Sequence, residues 1–122
     1  MIGIGVDLVD VDRFRVVLAR TPSMADRLFT EAERAYAARQ ADPTPRLAVR
    51  FAAKEAALKC LGLGLGGMPL VEIEVVRDDA TGRPDLVLHG RAAEVAAAHG
   101  VRAWRLSLSH TDTLAQATAV AL

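Results

Sequence analysis

The chain has 122 residues, of which 52% are hydrophobic and 25% are charged. This length allows one hydrophobic core and is short for two ordinary domains, so we expect a single α+β domain over residues 1–122. Its apolar runs are shorter than the roughly 18 residues of a membrane span, and no secretory signal pattern opens the sequence. We therefore expect a cytoplasmic protein with no membrane partner.

The net charge is zero, but the charges are unevenly distributed along the chain. Residues 13–59 carry ten Lys/Arg and five Asp/Glu, a net charge of +5, so the remainder carries −5. A basic region on a neutral protein favours an acidic or phosphorylated partner over nucleic acid, which usually binds to an overall basic domain. Solvated helix faces are the alternative interpretation. The single Cys60 cannot form an intrachain disulfide and is interpreted as a packing residue.

The N-terminal half of the chain predicts one strand followed by three helices. Thr30 and Glu33 have the spacing of a capping box, in which Thr30 is the N-cap of the second helix. Thr44 is the expected N-cap of the third helix, Pro45 suits its first position, and Gly62 ends it. The elements expected in this half are a strand at 2–8 and helices at 10–20, 30–40 and 45–61.

The C-terminal half predicts strands with alternating apolar and polar residues and one further helix. The expected elements are strands at 71–75, 85–88, 104–109 and 114–122 and a helix at 91–99. The glycine-rich segment 62–69 is too apolar for a solvated linker and should lie close to backbone or ligand. It has neither the Lys-Ser/Thr ending of a P-loop nor the glycine spacing of a dinucleotide-binding fingerprint. The element order predicts an α+β fold with a mainly antiparallel sheet and helices packed on it.

Two carboxylates are candidate metal ligands. Asp7 follows the apolar start of the first strand and Glu55 lies within the third helix, so together they could offer two oxygen ligands to Mg²⁺. Each has an ordinary alternative: Asp7 could cap the next helix, and Glu55 could form an i,i+4 ion pair with Lys59. Asp10 and Asp12 stand nearer the helix start and could cap it, which leaves Asp7 free.

Two motifs around these residues resemble the signature of the 4′-phosphopantetheinyl transferases. They are Gly5-Val6-Asp7 and Phe51-Ala52-Ala53-Lys54-Glu55-Ala56, the second followed by Lys59. The resemblance is to the short holo-[acyl-carrier-protein] synthase type, which has one module where the longer branch of the superfamily has two. It covers nearly the whole chain and implies the α+β fold of that family.

The resemblance implies an enzyme that transfers the 4′-phosphopantetheine arm of coenzyme A to a serine of an apo acyl carrier protein. Adenosine 3′,5′-bisphosphate would be released and Mg²⁺ would be required. Asp7 and Glu55 would ligate the metal, and Glu55 and Lys59 would be catalytic. The implied substrate-binding residues are Arg50, Lys59, Gly62, Gly64 and His110. His110 could instead be a solvated turn residue, and the general base is left open.

The resemblance also implies partners. Arg13, Arg20 and Arg27 would dock the acidic carrier protein, although Ser23 stands where a further basic residue is often found. A homotrimer with sites between subunits is implied as well. The carrier could serve fatty acid biosynthesis or another pathway of lipid or polyketide metabolism. The alternative function is a non-catalytic trimeric module that binds an acidic protein or a nucleotide without Mg²⁺.

Overall fold

The computed structural model describes residues 1–122 and contains five strands and five α-helices. In chain order these are β1 Gly3–Asp10, α1 Val11–Arg20, α2 Met24–Leu28, α3 Glu31–Ala37, α4 Thr44–Cys60, β2 Ile73–Arg77, β3 Pro84–Leu88, α5 Gly90–Ala98, β4 Trp104–His110 and β5 Leu114–Ala121. The predicted α+β class is confirmed. Three helices were expected before the second strand and four are present, because the chain forms one short helix, α2, after the break at Pro22.

Both sheets are antiparallel, as predicted. One has the order β1-β5-β4 and the other is the β2-β3 hairpin. In the three-stranded sheet Asp7 lies opposite Ala117, which lies opposite Leu108 on its other side. β2 begins at Ile73, later than expected, because residues Leu70–Glu72 form a 3-10 turn.

α4 lies unusually close to β1. An added Cβ atom would collide with the carbonyl oxygen of Cys60 at Gly3 and with that of Ala56 at Gly5. The strand backbone therefore contacts the helix backbone almost directly. Side chains two apart in a strand share a face, so Asp7 is the next side chain on the face that Gly3 and Gly5 present to α4.

Small residues also line the contact between α4 and β5, the strand next to β1. On β5 the buried positions are all alanine, and one core of 27 buried hydrophobic residues joins the strands to α4. The alanines of this interface include Ala52, Ala53, Ala56 and Ala57 on α4 and Ala115, Ala117, Ala119 and Ala121 on β5. Cys60 is buried among them and its thiol donates to the Ala119 carbonyl at 3.1 Å, which confirms the packing interpretation.

The helix starts agree with the sequence at two of three positions. Asp10 caps α1 by accepting from the Arg13 amide at 3.0 Å, and the Thr30/Glu33 capping box of α3 is complete. Thr44 is not the cap of α4, because it is already the first helical residue. The Asp42 carboxylate accepts its amide at 3.1 Å instead. None of the helices is both long and apolar enough to span a bilayer.

Candidate active site

Asp7 and Glu55 are brought together by the close contact of β1 with α4. Burial raises the pKa of Glu55, the negative charge of Asp7 raises it further, and Lys59 opposes both effects. The Lys59 ammonium donates to Asp7 Oδ1 at 3.0 Å and to the Val6 carbonyl at 2.9 Å. Two carboxylates and one ammonium therefore form a single electrostatic cluster at this point of the fold.

The structure contains neither ordinary alternative: Asp7 is not a helix cap, and Glu55 does not form an ion pair with Lys59. Asp7 does not cap α1, because Asp10 does. Lys59 forms its ion pair with Asp7 on the strand, and no ion pair joins it to Glu55 on its own helix. The glycines of β1 account for this choice, since they let the strand approach closely enough for Asp7 to reach the ammonium.

The donor set fits a hard divalent cation. No group of three or more His, Cys, Asp or Glu side chains that could hold a metal ion is present, so protein ligands would come from this pair of carboxylates. Mg²⁺ is commonly held by one or two carboxylates together with water and substrate phosphates, whereas structural zinc sites use four protein ligands. The pair suits a metal that arrives with a phosphorylated substrate.

A groove of about 420 Å³ opens beside the acidic pair. Arg13 lines it together with Phe14 and Phe51, whose ring centroids are 5.2 Å apart. Val17 of α1 is 39% exposed and also lines this groove. The groove joins an apolar surface of α1 to the carboxylates.

Arg50 and His110 line a different cavity, of about 320 Å³. No residue lines both this cavity and the groove beside Asp7. Arg50 is only 4% exposed, and burial lowers its pKa. Its Nε atom has no hydrogen-bond partner. The structure thus gathers the two predicted phosphate contacts at one place, apart from the predicted metal pair.

Three residues at this second cavity were not predicted from the sequence. Arg46 and Arg77 line it beside Arg50 and His110, and Tyr36 lies behind the arginines. Arg46 could have been found, because it lies four residues before Arg50 and therefore on the same helix face. Tyr36 and Arg77 come from α3 and β2, and no local pattern connects them with α4.

The predicted glycine contacts are exposed. A Cβ atom added at Gly62 or Gly64 would meet no protein atom within 4 Å, so the side-chain position of each glycine faces open space. Gly62 has φ +67° and ends α4, as expected. The segment was expected to lie close to backbone or to ligand; at these two residues the first alternative is not found, and the ligand contact stays a prediction.

The predicted docking arginines are all solvent-exposed. Arg13 and Arg20 lie on α1, and Arg27 lies on α2. None of the three forms an ion pair with an acidic side chain of the chain itself. They are available to an acidic partner.

The fold and both cavities define a class of protein: a small α+β protein built for phosphate chemistry, with an acidic pair at one cavity and arginines at the other. Residues 3–118 match the family model of the 4′-phosphopantetheinyl transferase superfamily. A holo-[acyl-carrier-protein] synthase of Clavibacter sepedonicus is 51% identical over 118 residues, covering 97% of this chain and 92% of that protein.

Solved structures of the same type superimpose closely. The holo-[acyl-carrier-protein] synthase of Neisseria meningitidis is 30% identical with a TM-score of 0.89, covering 100% of this chain and 99% of that one. That of Bacillus anthracis, in complex with CoA (3′,5′-ADP), is 32% identical with a TM-score of 0.80, covering 98% and 95%. The chain belongs to the 4′-phosphopantetheinyl transferase superfamily, within its holo-[acyl-carrier-protein] synthase type, which confirms the resemblance of its motifs.

Proposed function

We propose that this chain is a Mg²⁺-dependent enzyme that transfers 4′-phosphopantetheine from coenzyme A to a serine of an apo acyl carrier protein. The products are the holo carrier protein and adenosine 3′,5′-bisphosphate. The observation that carries the proposal is the cluster of Asp7, Glu55 and Lys59, in which two carboxylates from β1 and α4 meet one ammonium.

The chemistry requires positioning and charge neutralisation at a pyrophosphate. Mg²⁺, held by Asp7 and Glu55, would neutralise the phosphate oxygens and so favour departure of the nucleotide. Lys59 is 51% exposed at its side chain, so its ammonium can contact a phosphate that lies at the carboxylates. Arg50 and His110 bind substrate phosphate from the second cavity, and Gly62 and Gly64 bind substrate along the open loop.

The carrier protein docks through Arg13, Arg20 and Arg27. The groove between α1 and the acidic pair favours this arrangement, because Arg13 lies along the same groove as Asp7 and Glu55. A partner held by the arginines of α1 would therefore present its serine near the reacting phosphate. Electrostatic attraction between basic and acidic faces also accelerates association.

The active assembly is a homotrimer with sites between subunits. The sheet face that α4 does not cover presents Ile4, Val6 and Leu8, which are 60%, 53% and 65% exposed. A row of exposed apolar residues on a sheet is typical of a protein interface. The cytoplasmic location predicted from the sequence stays a prediction.

A transfer assay tests the function directly. The protein is incubated with coenzyme A, Mg²⁺ and a panel of apo carrier proteins, and the carriers are weighed by mass spectrometry. We expect one carrier to gain the mass of one phosphopantetheinyl group, and the gain to disappear with a chelator. Binding of coenzyme A without any transfer, indifferent to Mg²⁺, would instead support the binding-module alternative.

Glu55→Gln tests the metal pair. The amide keeps the shape of the side chain but loses its charge, so we expect turnover to fall by about a hundredfold or more, with the thermal midpoint preserved. Glu94→Gln is the matched control, because Glu94 is an exposed glutamate on α5 and should leave turnover unchanged. Full activity of the Glu55 variant would remove this residue from the metal ligands.

A further inference from the structure

Helix α1 carries two of the proposed docking arginines, but its buried contacts are confined to its first half. Of its ten residues, only Val11 and Phe14 are buried. The Val11 amide donates to the Thr113 carbonyl at 2.9 Å, and the Phe14 ring packs on Phe51. Beyond Phe14 no residue of the helix is buried, up to its end at Arg20. The orientation of the second half therefore depends on weaker contacts.

Arg15 provides a directional contact at the middle of α1. Its Nη1 atom donates to both carboxylate oxygens of Asp42, at 2.8 and 2.7 Å. Asp42 Oδ1 also accepts from the amide of Thr44, the first residue of α4, at 3.1 Å. Of the six ion pairs in the chain, this is the one that joins α1 to another part of the fold. One carboxylate therefore links α1 to the start of α4.

The two contacts of α1 with α4 lie at different positions along α4. Phe51 and Glu55 are one turn apart, so the packing of Phe14 on Phe51 holds α1 beside the acidic pair. Asp42 lies before the first turn of the same helix. A single apolar contact allows one helix to rotate against another, whereas a second, charge-assisted contact with defined geometry fixes the rotation. The ion pair thus sets the direction in which α1 presents its docking arginines.

Arg15 differs from the arginines assigned to docking. Arg13 and Arg20 form no ion pair, whereas Arg15 has Asp42 at 2.7 Å and Asp12 at 4.0 Å. The hydrogen bond from Arg15 lowers the pKa of the Asp42 carboxyl, so this group stays ionised at neutral pH. A carboxylate of the partner would have to displace an acid that is already in place. Arg15 is therefore suited to holding α1 and not to binding the partner itself.

We propose that Arg15 and Asp42 are positioning residues for recognition of the acidic carrier protein: their ion pair fixes α1 so that Arg13 and Arg20 face the partner. The inference rests on the proposed function, because it requires the carrier to dock on α1. Neither residue of the pair lines the groove beside the acidic pair or the second cavity. The ion pair should therefore affect the KM for the carrier and not that for coenzyme A.

Asp42→Asn is the central experiment, because positioning and simple charge attraction predict opposite results. The amide keeps an oxygen for the Thr44 amide group but loses the charge that holds Arg15. If charge alone mattered, removing an acid from a basic surface would strengthen attraction to an acidic carrier and lower its KM. With positioning, we expect the KM for the carrier to rise about threefold at saturating coenzyme A, with kcat unchanged. The KM for coenzyme A should not rise.

Asp12→Asn is the matched control. It removes the same charge from α1 itself, but Asp12 does not connect the helix to another element. The KM for the carrier should stay the same or fall in this variant. Arg15→Gln should raise that KM at least as much as Asp42→Asn does, and adding Asp42→Asn to it should cause no further rise. Thermal unfolding followed by circular dichroism checks that each variant is folded.

Three results would overturn the positioning role. They are an unchanged or lower carrier KM in Asp42→Asn, a rise that Asp12→Asn shares, and an equal rise in the KM for coenzyme A. A rise that Asp42→Asn still causes in the Arg15→Gln protein would also contradict it, because the ion pair is already absent there. If the original protein transfers nothing, the proposed function fails first, and the two failures are distinguishable.

Discussion

At the scale of single residues, the two lysines of the family motif have opposite environments although both lie on α4. Lys59 is half exposed and reaches the acidic pair, whereas Lys54 is fully buried. The Lys54 ammonium donates to Glu33 Oε1 at 2.8 Å and to the Leu70 and Ile73 carbonyls at 2.9 and 2.6 Å. All three of its protons are thus used, which is the condition for a buried ammonium to be tolerated.

Lys54→Met should therefore destabilise the protein severely. Methionine fills similar volume but leaves the buried Glu33 carboxylate without its counter-charge, so we expect the free energy of unfolding to fall by about 3–5 kcal/mol. Urea denaturation followed by circular dichroism measures this. Lys59→Met on the same helix is the control and should cost about 1 kcal/mol or less, because the Lys59 side chain is 51% exposed to solvent. Equal midpoints for the two variants would show that the buried pair does not hold α4.

At the scale of elements, the contact of β1 with α4 positions the proposed active site. Gly3 and Gly5 remove the side chains that would separate strand from helix, and Asp7 follows on the same face. The separation of the two carboxylates of the proposed metal site is therefore set by two glycines that carry no reactive side chain. These glycines are required for the close approach and not for their conformational freedom, since neither has a positive φ.

Gly5→Ala tests this dependence. The new Cβ atom would collide with the Ala56 carbonyl and the Lys59 side chain, so the strand must shift away from the helix. We expect a loss of about 1–3 kcal/mol in unfolding free energy, together with weaker Mg²⁺-dependent turnover, because Asp7 moves with the strand. Gly64→Ala is the stability control, since a Cβ atom there would meet nothing within 4 Å and its φ is not positive. A variant at Gly5 as stable as the control would refute the close contact.

The sequence predicted these elements where the signal is local and missed features that depend on tertiary contacts. Capping at Asp10 and at Thr30 follows from residues three apart, and both caps are present. The start of β2 was misplaced because alternation at Val71 does not reveal a 3-10 turn. The meeting of Asp7 and Glu55 could be predicted only through the family motif. Tyr36 was missed because its partners lie ten or more residues away in the chain.

At the scale of the whole molecule, the three-stranded sheet has one face inside and one outside. α4 covers the inner face, where small alanines allow the helix to approach. The outer face carries Ile4, Val6 and Leu8 on β1, and Val6 lies opposite Thr118, which in turn lies opposite Ser107. Such a face is costly to leave in water and suits burial against another copy of the chain.

Val6→Asp should convert the proposed trimer to monomers without unfolding them. The residue is 53% exposed on the uncovered face, so a carboxylate there can be hydrated in the isolated chain but would lose that hydration in an interface. Sedimentation velocity should give the mass of one chain instead of three, with an unchanged circular dichroism spectrum. Val87→Asp is the control: Val87 is 41% exposed on β3, in the other sheet, and should leave the trimer intact.

If sites lie between subunits, the Val6 variant should also lose transferase activity in proportion to its monomer fraction. A trimer that persists in that variant would exclude this face as the interface, whereas fully active monomers would place every site within one chain.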